Sequence, residues 1–227
     1  MSKNIQGYMG TQRGKLGTAV GSIYRRRQVY RAYNPNVRNP QTLQQQTNRA
    51  KFSALSQVCR ALSPVTSVGL RFQADRQNLH YRNVFMSLNY PAVQATTPED
   101  VQVGYAALQV AAGGAVPVLF GTARFDTPGT VSATFAPQLE VGGANGDDRV
   151  YLAVFNPTNG TAVVGKPVLR GSGTVSVAVP ATWTGESVHV YGFACTPERE
   201  TWNEATRSWM MPDMPSPSSY LGEGELG

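Results

Sequence analysis

The chain is poor in the residue types from which most catalytic centres are built. Among 227 residues there are two histidines, His80 and His189, and two cysteines, Cys59 and Cys195. The histidines fall on different predicted modules, and a lone histidine is most often a surface or hydrogen-bonded residue. The cysteines are too far apart in sequence for zinc or redox spacing, which leaves two buried free thiols in a reducing compartment. No serine stands in a nucleophile-elbow context, and no phosphate loop ending in Gly-Lys-Ser/Thr occurs. Gly171-Ser172-Gly173-Thr174 imitates such a loop but lacks the lysine and joins two predicted strands. Glu140, Asn145, Asp147 and Asp148 come nearest to a calcium-binding set, yet their spacing matches no standard loop. The expectation is a protein with no catalytic residues, no metal and no cofactor.

Long apolar runs are missing too. No stretch approaches the ~20 residues of a membrane span. The N-terminus has no apolar segment behind its charges and does not read as a secretory signal. The chain is expected to be cytoplasmic on synthesis, with later assembly into a virion-like particle left open.

The third scarcity is acidic residues in the first part of the chain. Residues 1–90 carry fourteen Lys and Arg against Asp75 alone, a net +13; residues 91–227 carry six basic and thirteen acidic residues, a net −7. Such a division implies either a polyanionic partner for the basic part or attraction between the two parts or between copies.

Charged residues make up only 15%, while Gly and Pro are frequent at 23 and 15. That balance favours turns and short strands over a helical bundle. Residues 1–14 read as a polar arm. KLGTAVGSIY (15–24) and QVYRAY (28–33) read as two strands, and Arg25-Arg26-Arg27 between them forms the tip of a hairpin. Clustered guanidinium groups repel one another unless an anion meets them. Interleaved tyrosines either stack on bases or line a small core.

Asn34-Pro35 and Asn39-Pro40 mark turns. Thr42 and Gln45 then make a capping-box pattern that opens a helix running from Leu43 to about Leu62. Phe52, Leu55, Cys59 and Leu62 recur at helical offsets as one stripe, and Ser63-Pro64 ends the helix. A second helix is expected over Gln77–Asn89, followed by a linker at 91–100. From Tyr105 onward, short strands alternate with Gly- and Asn-Gly-type turns: 105–111, 116–123, 130–139, 149–155, 161–169, 173–179, 187–194 and 220–226. Regular strands so punctuated indicate an antiparallel β-sandwich. Trp183 is placed in its core, and Tyr191 at a sheet edge or corner. Residues 196–219 interrupt the last pair of strands with Trp202, Trp209, Met210 and Met211. This excursion either folds over one end of the sandwich or offers an apolar patch to a partner.

The segment 14–62, opening Gly14-Lys15-Leu16-Gly17 and carrying Arg49-Ala50-Lys51-Phe52 on its helix, resembles the opening of an uncharacterised family of bacterial and phage proteins often met in gut-associated genomes. The resemblance continues at DRVYLAVFNPTNGTAVV (148–164), VPATWTGESVHVYGFA (179–194) and SSYLG (218–222). It implies a fibronectin- or immunoglobulin-like C-terminal fold and brings no catalytic residues. The Trp/Met-rich excursion departs from the family pattern.

The fold expected is therefore α+β: a basic hairpin-helix module at 1–90, a linker at 91–100 and an antiparallel Ig- or fibronectin-like sandwich at 101–227. The function expected is that of a non-enzymatic structural or assembly protein, virion-associated by the phage resemblance and assembling with other protein subunits into an oligomer. Its basic module would meet nucleic acid, another polyanion or neighbouring subunits through Lys15, Arg25, Arg26, Arg27, Arg31, Arg38, Arg49 and Lys51. The alternative is a cellular module that binds carbohydrate or protein through Trp202, Trp209, Met210 and Met211.

Overall fold

The computed structural model describes residues 11–24, 27–36, 40–137, 144–197, 201–203, 208–210 and 213–227. The chain divides into two compact units, Met1–Thr42 and Leu43–Gly227.

The smaller unit is a three-stranded antiparallel sheet in the order β1 (Gly14–Leu16), β2 (Ala19–Tyr24) and β3 (Arg27–Ala32). The single strand expected over 15–24 is broken by a tight reversal, with Leu16 paired to Ala19. Gly17 makes that reversal at φ +59°, where a side chain would be strained. The expected hairpin is present, with β2 and β3 in register from Ala19↔Ala32 to Tyr24↔Arg27.

The larger unit is mixed α and β. Helices α1 (Leu43–Ala61), α2 (Ser63–Gly69), α3 (Arg71–Gln77) and α4 (Tyr81–Asn89) come first. The first matches the expected span. Ser63-Pro64 does end it, but Pro64 also sits in the first turn of α2, where its missing N–H costs nothing. The helix expected from Gln77 begins later. Asn78 adopts a left-handed conformation (φ +51°) that caps α3, and the His80 Nδ1 accepts the Arg82 N–H at the start of α4.

Residues 91–100 are not a linker. They lead into a short hairpin of β4 (Val93–Ala95) and β5 (Val101–Val103), with Val93 buried. The expected strand at 105–111 is a 3₁₀ turn followed by irregular chain, because its hydrogen bonds go elsewhere. The Ala112 N–H donates to the Gly69 carbonyl of α2, and the Val110 N–H to the Ser218 hydroxyl.

The remaining strands are β6 (Phe120–Thr127), β7 (Thr130–Phe135), β8 (Arg149–Asn156), β9 (Thr161–Val164), β10 (Val168–Leu169), β11 (Thr174–Ala178), β12 (Ser187–Pro197), β13 (Thr201–Asn203), β14 (Ser208–Met210), β15 (Asp213–Pro215) and β16 (Ser219–Glu225). β8 and β12 pair at the centre of a six-stranded sheet; β9 and β10 line the outer side of β8, and β15 and β16 that of β12. A second sheet has the order β11-β7-β6.

The two central strands divide their residues between two cores, as their period of two requires. Tyr151, Ala153 and Phe155 of β8, with Tyr191, Phe193 and Cys195 of β12, meet Leu55, Val58, Leu62, Leu70 and Phe85 of the helices. Val150, Leu152 and Val154, with Val188, Val190 and Ala194, meet Val131, Ala133, Val175, Val177 and Trp183 on the side of the second sheet. Trp183 is thus a core residue, as expected. Tyr191 is not at an edge: it is fully buried on the central strand, and its hydroxyl donates to the Tyr105 carbonyl at 2.8 Å. Gly192 leaves room on the second face for the Phe120 ring, which lies 2.6 Å from where a Cβ would stand. Because the helices share a core with the sheet, they belong with residues 101–227 and not with the basic hairpin. Among the described residues, no helix is long and apolar enough to cross a membrane.

Candidate anion-binding surface

The division at Thr42 sharpens the charge pattern. Met1–Thr42 carries eight Lys and Arg and no Asp or Glu, a net +8; Leu43–Gly227 carries twelve basic and fourteen acidic residues, a net −2. The smaller unit therefore contains no carboxylate side chain that could neutralise it from within.

Strand register sorts these cations. In a sheet, directly paired residues share a face and neighbours along the strand alternate. Lys15 pairs with Val20 and Val20 with Arg31, while Ser22 pairs with Val29. One face therefore presents Lys15, Val20, Ser22, Arg27, Val29 and Arg31. The other presents Leu16, Ala19, Gly21, Ile23, Gln28, Tyr30 and Ala32, with no charge at all. On that neutral face the Gln28 side-chain amide donates to the Gln12 carbonyl at 2.7 Å, and the Tyr30 hydroxyl donates to the Gln12 side-chain oxygen at 3.0 Å.

On the cationic face, the Lys15 ammonium stands 4.0 Å from the centre of the Tyr33 ring. The ring's negative face holds the ammonium without cancelling its charge. Arg27 and Arg31 are exposed on β3. The ion pairs among the described residues, Arg71–Asp75, Arg149–Asp213, Arg170–Asp148 and His189–Glu223, all lie within Leu43–Gly227. Three forked or pointed cations on one flat face suit phosphate oxygens, which accept charge-assisted hydrogen bonds.

The eight cations expected to act together fall on different elements or outside the described residues. Lys15, Arg27 and Arg31 share one face. Arg25, Arg26 and Arg38 lie outside the described residues. Arg49 and Lys51 are on α1, in the other unit, and two positions apart on a helix puts them on different sides. Arg-x-Lys is thus not one patch. Arg49 instead shares a stripe with Phe52, Ser56 and Arg60, at offsets of three, four and four. Phe52, expected in the core stripe, is 56% exposed, whereas Val58, not assigned to the stripe, is buried with Leu55 and Cys59. The alternation of Arg, Phe and Arg along one helical side was the available signal for this stripe.

The second expected site is described only as backbone. β13 and β14 form a two-stranded ribbon with Trp202 opposite Trp209, and β15 returns beside the end of β12, with Cys195 opposite Pro215. The side chains of Trp202, Trp209 and Met210, and the whole of Met211, lie outside the described residues.

Other titratable groups are used structurally. Asp148 is fully buried with Arg170, carboxylate to Nε 3.0 Å. Arg170 Nη2 also donates to the Val116 carbonyl at 2.6 Å. Glu140 lies outside the described residues. Among those described, no cluster of three metal-ligating side chains occurs. Both cysteines are buried free thiols. Burial raises the Cys59 pKa and pushes that of Cys195 up to about 12, which keeps both protonated and unreactive. His189 is also buried; its Nδ1 lies 2.9 Å from the Tyr220 hydroxyl, and burial lowers its pKa against the opposing pull of Glu223.

No curated protein and no solved structure gave a match to this chain. A family model spans residues 10–223, taking in the basic sheet, the helices and both larger sheets together, and the chain accordingly belongs to a family of unknown function (DUF6266).

Proposed function

We propose that this is a non-enzymatic binding and assembly protein whose N-terminal sheet grips a polyanion, nucleic acid above all. The observation that carries this reading is the gathering of Lys15, Arg27 and Arg31 on one face of a unit with no carboxylate side chain. Contacts of this kind go to phosphates, so the grip is blind to base sequence and sensitive to salt. The larger unit, whose paired sheets we read as an immunoglobulin- or fibronectin-like sandwich, serves as the assembly or display body. A particle such as a virion is a setting that needs both a sequence-blind hold on nucleic acid and repeated protein contacts.

The test is retention of duplex DNA and RNA measured against salt concentration. The intact chain should lose affinity linearly in log–log form. Replacing Lys15, Arg27 and Arg31 together by serine should reduce the slope by about three, roughly one for each lost phosphate contact. Binding that is absent, or indifferent to salt, would sink the proposal.

A second reading rests on the ribbon β13–β14, which extends the chain beyond the β12–β15 pairing and sets Trp202 opposite Trp209. Such a ribbon suits recognition of carbohydrate or protein. Trp202→Ala with Trp209→Ala should then abolish ligand capture while leaving the thermal midpoint unchanged; loss of folding instead would assign both tryptophans to packing.

A further inference from the structure

The exposed side of α1 carries a feature that the polyanion reading does not use. Asn48, Arg49, Phe52, Gln57 and Arg60, with Tyr90 beyond α4, line an open groove of about 750 Å³. Among the described residues, no carboxylate lines it. Phe52 is 56% exposed and Tyr90 38%, so two aromatic rings of one groove face solvent. The Tyr90 hydroxyl lies 3.5 Å from the Asn48 side-chain oxygen, which ties the two walls of the groove together.

We propose that this groove is a second nucleic-acid contact and takes unpaired nucleotides, a proposal that rests on the polyanion-binding function proposed above. Three features select that occupant. Arg49 and Arg60 supply charge complementarity to phosphate and stand about 16 Å apart along the helix. That distance spans roughly five stacked nucleotides at ~3.4 Å each. Phe52 and Tyr90 lie between or beside them and offer flat rings to base faces, which are hidden in a duplex and open in a single strand. Asn48 and Gln57 carry amides that both donate and accept, as base edges require. The basic sheet gives sequence-blind attraction to any polyanion; the α1 groove adds a preference for strands whose bases are free.

The experiment measures binding of labelled oligothymidine, of a duplex of equal length and of heparin to the full chain and to two variants. Phe52→Ala should lower affinity for oligothymidine about tenfold, since one stacked base is lost, and leave heparin binding unchanged. Phe52→Trp should keep the affinity, and its emission should be quenched as oligothymidine is added. Phe52 is exposed, so neither variant should disturb folding, which the thermal midpoint checks. If heparin is retained but Phe52→Ala binds oligothymidine like the parent, the groove proposal is overturned and the polyanion reading stands. If neither heparin nor nucleic acid is retained, both are overturned. A change in solution mass on Phe52→Ala without a change in oligothymidine binding would reassign the groove to contact between copies, and would also overturn it.

Discussion

The two units of this chain solve opposite problems. Leu43–Gly227 has two apolar cores on either side of its central strands and a net charge near zero. Met1–Thr42 has three short strands, exposed Leu16, Val29, Tyr30 and Tyr33, and a net charge of +8. A sheet of this size with apolar side chains exposed on each face gains little from burial and is marginal by itself. Like charges packed on it cost further free energy. On the proposed function, stability and recognition are assigned to different parts of the sequence, and substitutions should separate them.

The largest effect is expected at the buried ion pair. Asp148→Ala leaves the Arg170 guanidinium charged and without its partner in a site with no exposure. Chemical denaturation should show a loss of about 3–5 kcal/mol, and polyanion binding by the folded fraction should not change. Gly192→Ala comes next. A methyl group there collides with the Phe120 ring, and overpacking should cost about 1–3 kcal/mol; adding Phe120→Leu should return part of it, which a double-mutant cycle would read.

A smaller effect comes from His189. Burial lowers its folded pKa below the usual value of 6.5, so between the two values the unfolded chain binds more protons. Stability must then fall as pH drops through the range just under 6.5 and level off below the folded pKa. Thermal midpoints at pH 7 and pH 5.5 should differ in the parent and differ less in His189→Gln. The smallest stability effect belongs to the basic sheet. Lys15→Ser, Arg27→Ser and Arg31→Ser each remove an exposed side chain and should each change stability by no more than about 0.5 kcal/mol. The same variants should cause the largest losses in nucleic-acid retention at low salt. If instead they unfold the larger unit, the proposed separation of roles is wrong.

Much of the architecture could be read locally. The capping pattern at Thr42, the apolar stripe through Leu55, Cys59 and Leu62, and the tyrosine- and valine-rich arms of the hairpin each depend on neighbours within a turn or a strand. Helix α1 and the pair β2–β3 came out as expected for that reason. VYLAVF (150–155) and VHVYGFAC (188–195) read as strands from local pattern, but their near-continuous apolar character carries a further message. A strand buried on both faces has no polar alternation, and reading 150–155 and 188–195 that way would have called for a helical layer on the far side. Without that layer, local patterning alone groups the helices with the basic hairpin and makes residues 91–100 a linker.

The site shows the same limit. Composition located the positive charge in the first part of the chain, because charge is additive along a sequence. It could not say which cations share a surface. The turn at Gly17 and the register of β2 with β3 put Lys15 and Arg31 on one face, on either side of Val20, and the two-residue offset on α1 puts Arg49 and Lys51 on different sides. By itself the sequence determined the amount and sign of charge, the principal helix and most of the strands, since those follow from local chemistry. Only the tertiary structure decided which strands lie between two layers, that Phe52 faces solvent and that Asp148 meets Arg170, because long-range packing sets all three.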